Sequence, residues 1–216
     1  MSDWWHVIEL LNGETTPGAW DLRPLAEKIP WPDLAGKRCL DVGTADGFWA
    51  FELERRGAAD VLATDVDSSF QQKSRRNFEE ARAARGSSVR YEVRSVFDLE
   101  GEFDVVFMGY VLQMVTDPIG ALEAVRRVCR GQLLLLDTVS LPLSLLPSPL
   151  ARLDARRDGR EWFVFNPRGL RKVVELAGWK VDAQTGILAE HVIPAAGNWK
   201  WRLGVRGRSA ALRASI

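Results

Sequence analysis

Short apolar runs alternate with amphipathic stretches of helical period along most of the chain. Lys37 to Val42 (KRCLDV) follows the turn residues Ala35 and Gly36 and runs into a glycine-containing loop, which predicts a buried strand. Phe48, Phe51 and Leu53 share one face of a predicted helix over Phe48 to Arg56, and Gly57 supplies its stop. A strand at Asp60 to Thr64 completes a β-loop-α-β unit. The alternation continues with a polar helix over Ser68 to Ala84, a strand at Arg90 to Arg94 and the apolar strand FDVVFMG from Phe103. Asp117 and Pro118 make a helix start, because the Asp side chain can accept free amides of the first turn and Pro already has the backbone angle that turn needs. Ile119, Leu122, Val125 and Cys129 stripe this helix, Gly131 follows it, and Leu133 to Leu136 reads as the next buried strand.

The pattern then breaks. Between Val139 and Phe165, residues 142, 147, 149 and 159 are proline or glycine among mixed apolar and basic residues, so this stretch is expected to be a lid or substrate loop. Asn166 and Pro167 cap a last helix that turns Leu170, Val173, Val174 and Ala177 inward and stops at Gly178, with strands expected at Lys180 to Leu188 and Lys200 to Arg206. Such alternation predicts an α/β, Rossmann-like doubly wound sheet, mostly parallel with one antiparallel edge strand and helices on both faces. The whole chain, 1–216, is read as a single domain with an N-terminal cover segment at 1–34 and the lid at 139–165.

A chain of 216 residues can bury one such core. Apolar residues at 46% and charged residues at 27% speak against the disordered and membrane classes. Basic and acidic residues balance at 29 each, which removes the strong positive field of a protein that binds nucleic acid mainly by neutralising phosphates. The opening MSDWWHVIEL has no basic stretch leading into an apolar core, and the apolar run from Leu133 is broken by Asp137 and Pro142, so a cytoplasmic protein with no membrane partner is expected. Cys39 and Cys129 lie in apolar patterns without ligand spacing, which reads as two buried thiols and no metal site.

The chemistry concentrates at DVGTADG, Asp41 to Gly47, between the first strand of the unit and its helix, where a doubly wound sheet opens its ligand crevice. Gly43 and Gly47 are expected to let the backbone turn tightly and approach a ligand, with Thr44 between them. A dinucleotide loop would show GxGxxG around a pyrophosphate; here acidic Asp41 and Asp46 flank the loop, which suits the ammonium and sulfonium of S-adenosylmethionine instead. Asp65, 24 residues after Asp41 at the end of the second strand, is placed to accept both ribose hydroxyls, with Val66 beside it. Val96 and Phe97 are expected to flank the adenine while Ser95 bonds its edge, and Gly109 and Tyr110 close the fourth strand beside the sulfonium and the acceptor.

Four stretches carry a family resemblance: WWHVIELLNGETTPGAWDLRP, DLAGKRCLDVGTADGFWAFELERRGA, FDVVFMGYVLQMVTDP and NPRGLRKVVELAGW. They resemble the class I S-adenosylmethionine-dependent methyltransferases around the bacterial tRNA wobble-uridine carboxymethyltransferase and its relatives. The resemblance implies the fold, the cofactor class, and a role for Trp20 and Arg23 in a segment covering the cofactor. It also shows two departures: Gln113 stands where the tRNA enzyme has a Tyr that helps hold the carboxylate of carboxy-S-adenosylmethionine, and Met114 where many relatives have His.

Methyl transfer from a sulfonium is an in-line displacement, and a base is needed only for acidic acceptors. With two histidines in the chain, His6, in the Trp-rich opening, is the catalytic candidate beside Tyr110. Arg152, Arg156, Arg157 and Arg160 form a basic run on the lid, read as a solvated face. The sequence thus predicts methyl transfer to a small-molecule acceptor, the alternatives being a tRNA wobble-uridine carboxymethyltransferase and a non-catalytic nucleotide-ligand-binding protein of the same fold. Loss of the segment from Trp4 to Arg23 is expected to harm turnover far more than the fold.

Overall fold

The computed structural model describes residues 4–66, 68–153, 162–189, 191–192 and 208–216. After β1 (Trp20–Asp21) and α1 (Arg23–Ala26) come β2 (Arg38–Val42), α2 (Phe48–Arg55), β3 (Asp60–Asp65), α3 (Ser69–Arg85), β4 (Arg90–Val93) and β5 (Phe103–Gly109). Then follow α4 (Pro118–Val128), β6 (Cys129–Thr138), α5 (Leu141–Ser144), β7 (Ala151–Leu153), β8 (Phe163–Phe165), α6 (Pro167–Leu176), β9 (Lys180–Gln184), β10 (Leu188–Ala189), β11 (His191–Val192) and β12 (Arg208–Ser215). The main sheet has the order β10-β12-β6-β5-β2-β3-β4, with β9 also pairing β12. Strands β4, β3, β2, β5 and β6 are parallel. The order reverses between β2 and β5, so the C-terminal ends of these two strands open the crevice.

Alternate residues of the buried strands feed two cores. Leu40, Val42, Val106 and Met108 face α4 and α6, while Cys39, Val105 and Phe107 face α2, α3 and the N-terminal segment. Both cysteines are free and buried, and burial pushes the Cys39 thiol up to about 12. The helix expected to run through Cys129 ends at Val128, because Cys129 already pairs with Phe103 at the start of a strand longer than expected. The antiparallel strand is β12, lying one place in from the edge between β6 and the β9/β10 pair. Lys200 to Arg206, expected as the closing strand, lies outside the described residues. The run from Lys180 to Leu188 is interrupted at Thr185, whose backbone N–H donates to the Ala211 carbonyl (2.9 Å) and whose hydroxyl accepts the Ala211 N–H (3.0 Å).

The N-terminal cover is part of the fold. Ile8, Leu22 and Leu25 are buried in the second core. Thr16 ties the segment to itself: its hydroxyl accepts the Ile8 N–H (2.9 Å) and donates to the His6 carbonyl (2.6 Å). Deleting Trp4 to Arg23 would therefore open the core, and the expectation that the fold would be spared is corrected on that ground.

Between β6 and α6 the expected lid contains α5 and the β7–β8 hairpin. Asn166 fastens it. The buried Asn166 Oδ1 accepts the N–H of Gly169 (2.7 Å), capping α6, and of Leu150 (3.0 Å), while its Nδ2 donates to the carbonyls of Leu143 (3.0 Å) and Ser148 (2.9 Å). Of the basic run, Arg152 is exposed in β7; the other three arginines lie outside the described residues.

Candidate active site

The loop after β2 is clasped to the end of β3: Gly43 and Thr44 donate their N–H groups to the Thr64 carbonyl at 2.8 and 3.0 Å. Gly43 and Gly47 have φ of 73° and 98°. A side chain at Gly43 would strike Val111 Cγ2 at 2.3 Å, and one at Gly47 would strike the rings of Phe51 and Phe78 at 2.6 Å. Both glycines thus answer to backbone conformation and protein packing. Ala45 and Tyr110 are the non-glycine residues with positive φ among those described, at 49° and 60°. They lie in the loop and directly after β5, in a backbone region that costs an L side chain strain.

Buried polar atoms without partners gather here. Neither carboxylate oxygen of Asp41 has a hydrogen-bond partner, nor do Thr44 Oγ1, Trp49 Nε1 and Gln113 Oε1. They stand at the end of β2, in its loop, in the first turn of α2 and in the turn after β5. Trp49 stacks on Phe107 with ring centroids 4.6 Å apart, and its Nε1 would lie 3.0 Å from a Cβ placed on Gly109. Gly109 keeps that space open. Burial raises the Asp41 carboxyl from 3.8 to about 7, the nearby Asp65 pushes it the same way, and Thr44 and His6 oppose the rise. Orphaned buried donors and acceptors are costly, so a polar ligand bearing both a cationic and an anionic end fits them.

Asp65 closes the other side of the loop. Its Oδ2 accepts the Ala45 N–H and its Oδ1 the Val66 N–H, each at 2.8 Å. Beyond it, a cleft of about 440 Å³ is lined by Val66, Val93, Arg94, Ser95, Asp98 and Glu100. Val66 is 46% and Phe97 42% exposed at this end, whereas Val96 is buried in the core. Ser95 caps the short 3-10 turn Val96–Asp98 by accepting the Phe97 N–H (3.3 Å).

Asp46 was expected to lend its charge to the cofactor; its carboxylate is turned to the N-terminal segment instead. Buried in the loop, it accepts the N–H groups of Trp5 and His6, both at 2.9 Å, and contacts the His6 ring at Nδ1. Trp20 continues the attachment, donating its N–H to the Trp5 carbonyl (2.8 Å) and pairing in β1 with β11. Arg23 is held by Asp21 through Nε (2.9 Å) and Nη2 (2.8 Å). Tyr110 shares a hydrogen bond between its hydroxyl and that of Ser209 (3.0 Å). Asp137, which in the sequence only breaks an apolar run, accepts the N–H of Gln113 (3.2 Å) and of Thr138 (2.7 Å) at the end of β6.

A family model described as a methyltransferase domain matches residues 20–184. The chain belongs to that family. This methyltransferase is 33% identical over 135 residues to a ubiquinone biosynthesis O-methyltransferase of Thiobacillus denitrificans, covering 59% of this chain and 53% of that protein. It is 32% identical over 164 residues to the enzyme of the same name from Xanthomonas oryzae pv. oryzae, covering 70% and 64%. The chain spans about half the length of the first of these relatives. Among solved structures, a SAM-dependent methyltransferase from Aquifex aeolicus matches with a TM-score of 0.60 at 18% identity, covering 92% of this chain and 90% of that one. Magnesium protoporphyrin IX methyltransferase from Synechocystis, solved with bound SAH, matches at 0.57 and 16%, covering 85% and 75%. The family is that of methyltransferase domains, and the fold is shared with solved proteins whose names give dependence on S-adenosylmethionine or its bound product. No helix among the described residues is long and apolar enough to cross a membrane.

Proposed function

We propose that this methyltransferase delivers a methyl group to a small-molecule acceptor in the crevice above β2 and β5. The observation that carries the reading is the group of buried, unpartnered polar atoms of Asp41, Thr44, Trp49 and Gln113, on the segments at and after the ends of β2 and β5. Asp41 and Thr44, with the loop from Gly43 to Gly47, would receive the methionine end, its ammonium toward Asp41. Asp65 would accept the ribose hydroxyls through lone pairs left after its bonds to Ala45 and Val66. Val66, exposed at the cleft, and Phe97, exposed beside it in sequence to the cleft residues Ser95 and Asp98, would cover the adenine, with Val96 supporting from the core and Ser95 at the edge. Gly109 leaves room beside the sulfonium, Tyr110 borders the acceptor, and Trp20 and Arg23 belong to the covering segment. Bound cofactor supplies the electrophilic methyl, and the protein's part is to align the acceptor in a site closed to water.

The names of the relatives, O-methyltransferases of ubiquinone biosynthesis, support a small acceptor. The balanced charge weighs against tRNA. Titration of S-adenosylmethionine and its demethylated product into the purified protein, with mass spectrometry of any cofactor it carries, tests the site. Absence of binding by either would overturn this reading. A screen of methyl acceptors, transfer RNA included, then decides the substrate class.

A further inference from the structure

The geometry points to His6, held by Asp46, as the base that takes the proton of a hydroxyl acceptor, an inference that rests on the methyl-transfer reading above. Asp46 is fully buried, and besides two backbone N–H groups it binds the His6 ring at Nδ1. A carboxylate can only accept, so the ring proton sits on Nδ1 and Nε2 carries the lone pair. No described residue bonds Nε2, and the side chain is 14% exposed, tilted over Phe48 at the start of α2 with ring centroids 5.7 Å apart. The ring also lies within electrostatic reach of Asp41. One edge of this imidazole is therefore fixed to the cofactor loop while the other is free.

Other candidate bases in the crevice are committed, Asp41 to the cofactor's ammonium in the reading above and the rest to groups of the protein. Asp65 holds Ala45 and Val66, Asp137 holds Gln113 and Thr138, and the Tyr110 hydroxyl is bonded to Ser209. A neutral amine can take a methyl group before it loses a proton. A hydroxyl oxygen is too weak a nucleophile for that and must shed its proton as the new bond forms. In the step assigned here, the acceptor oxygen forms a bond to the methyl carbon, and the carbon–sulfur bond breaks with its electron pair going to sulfur. The hydroxyl proton passes to His6 Nε2, and the resulting imidazolium is paired with the Asp46 carboxylate. Products are a methyl ether, the neutral thioether and one proton. The acceptor is accordingly a phenol-type hydroxyl compound.

The test begins with cofactor titration, which isolates failure of the underlying reading: a wild type that does not bind S-adenosylmethionine sinks that first. Nitrogen-15 NMR of the free protein, with His6 assigned by His6→Gln, reads the tautomer without any turnover. Expected is a protonated Nδ1 and bare Nε2, altered by Asp46→Asn; a dominant Nε2–H form overturns the proposal. Catechol, 3,4-dihydroxybenzoate and aniline serve as acceptor probes. Methylation of either hydroxyl compound supports the assignment, and methylation of neither by a protein that binds cofactor overturns it. His6→Ala should lower kcat by about 100-fold or more, leave cofactor affinity within about threefold, and recover activity with added imidazole. Wild-type turnover in the variant, or a loss that imidazole does not rescue in a folded variant, refutes His6 as the base.

Discussion

Asp65 accepts the N–H of Ala45 at 2.8 Å, so the carboxylate at the end of β3 holds the cofactor loop in a conformation that Ala45, with φ of 49°, would not adopt by itself. Its removal should act twice, by loosening the loop and by deleting the ribose contact proposed above. Asp65→Ala is expected to weaken S-adenosylmethionine binding by about 10-fold to 150-fold, equivalent to roughly 1.5–3 kcal/mol for a charge-assisted hydrogen bond. Calorimetry on the folded variant checks this, and unchanged affinity would remove Asp65 from the site.

Asp41 should make the stability of the free protein fall as pH rises. Burial raises its carboxyl to about 7 from an ordinary 3.8. An unfolded chain releases this proton near pH 4 and the folded chain keeps it to about pH 7, so across that window the folded state binds more protons and loses stability with increasing pH. The whole effect is on the order of 4 kcal/mol at most. Asp41→Asn keeps the shape without the charge and should flatten the slope, leaving the variant the more stable protein at pH 8 in urea unfolding. Parallel pH profiles for the two proteins would refute the assignment. The same variant should bind S-adenosylmethionine more weakly, since the proposed ammonium contact loses its charge.

Asn166 joins a helix cap to the segment between β6 and α6. Asn166→Ala would leave the N–H groups of Gly169 and Leu150 and the carbonyls of Leu143 and Ser148 without their present partner. A cap alone is worth about 1 kcal/mol, and buried groups left unpaired add about 1–3 kcal/mol. We expect a loss of roughly 2–4 kcal/mol in denaturant unfolding, with faster hydrogen exchange at Leu150. Asn166→Asp, which retains the acceptor, should recover the bonds from Gly169 and Leu150 but not those to the Leu143 and Ser148 carbonyls. A loss no greater than that of an ordinary cap would show that the lid is held elsewhere.

The parallel half of the sheet was legible because its central strands are mostly apolar with turn residues beside them, as in Cys39 to Val42 and Phe103 to Gly109. β12 was not: RSAALRAS is rich in Ala and Ser, and it becomes a strand by pairing with β6 on one side and β9 on the other. The loop from Gly43 to Gly47 showed its position but not its physics. Nothing local marks Asp46 as a partner of Trp5 and His6, 40 or more residues away, and an acidic residue in such a loop reads equally well as a neighbour of a cationic ligand. Trp49 was lost among nine tryptophans, because only packing against Phe107 and Gly109 leaves its Nε1 buried and unbonded. Asn166 was visible as a cap from Asn-Pro, whereas its three bonds to the lid depend on how residues 143–150 fold back.

Gln113 bears on which form of the cofactor is used. It sits in the turn after β5 with its N–H donated to Asp137 (3.2 Å) and its carbonyl accepting the Trp162 N–H (2.7 Å). An extra carboxylate near the sulfonium would need several donors to offset its desolvation. Gln113 offers an amide where the carboxymethylating family has a Tyr, and the neighbouring Met114 offers none. The buried carboxylate of Asp137, bonded to the Gln113 backbone, adds like charge on the same side of the crevice. S-adenosylmethionine should therefore bind more tightly than carboxy-S-adenosylmethionine by about 10-fold or more, a difference of about 1.4 kcal/mol. Gln113→Tyr should narrow that gap by supplying a hydroxyl donor. Side-by-side titration of both cofactors into the wild type and this variant decides the matter: preference of the wild type for the carboxylated form would overturn methyl transfer as its reaction and restore the tRNA carboxymethylation reading.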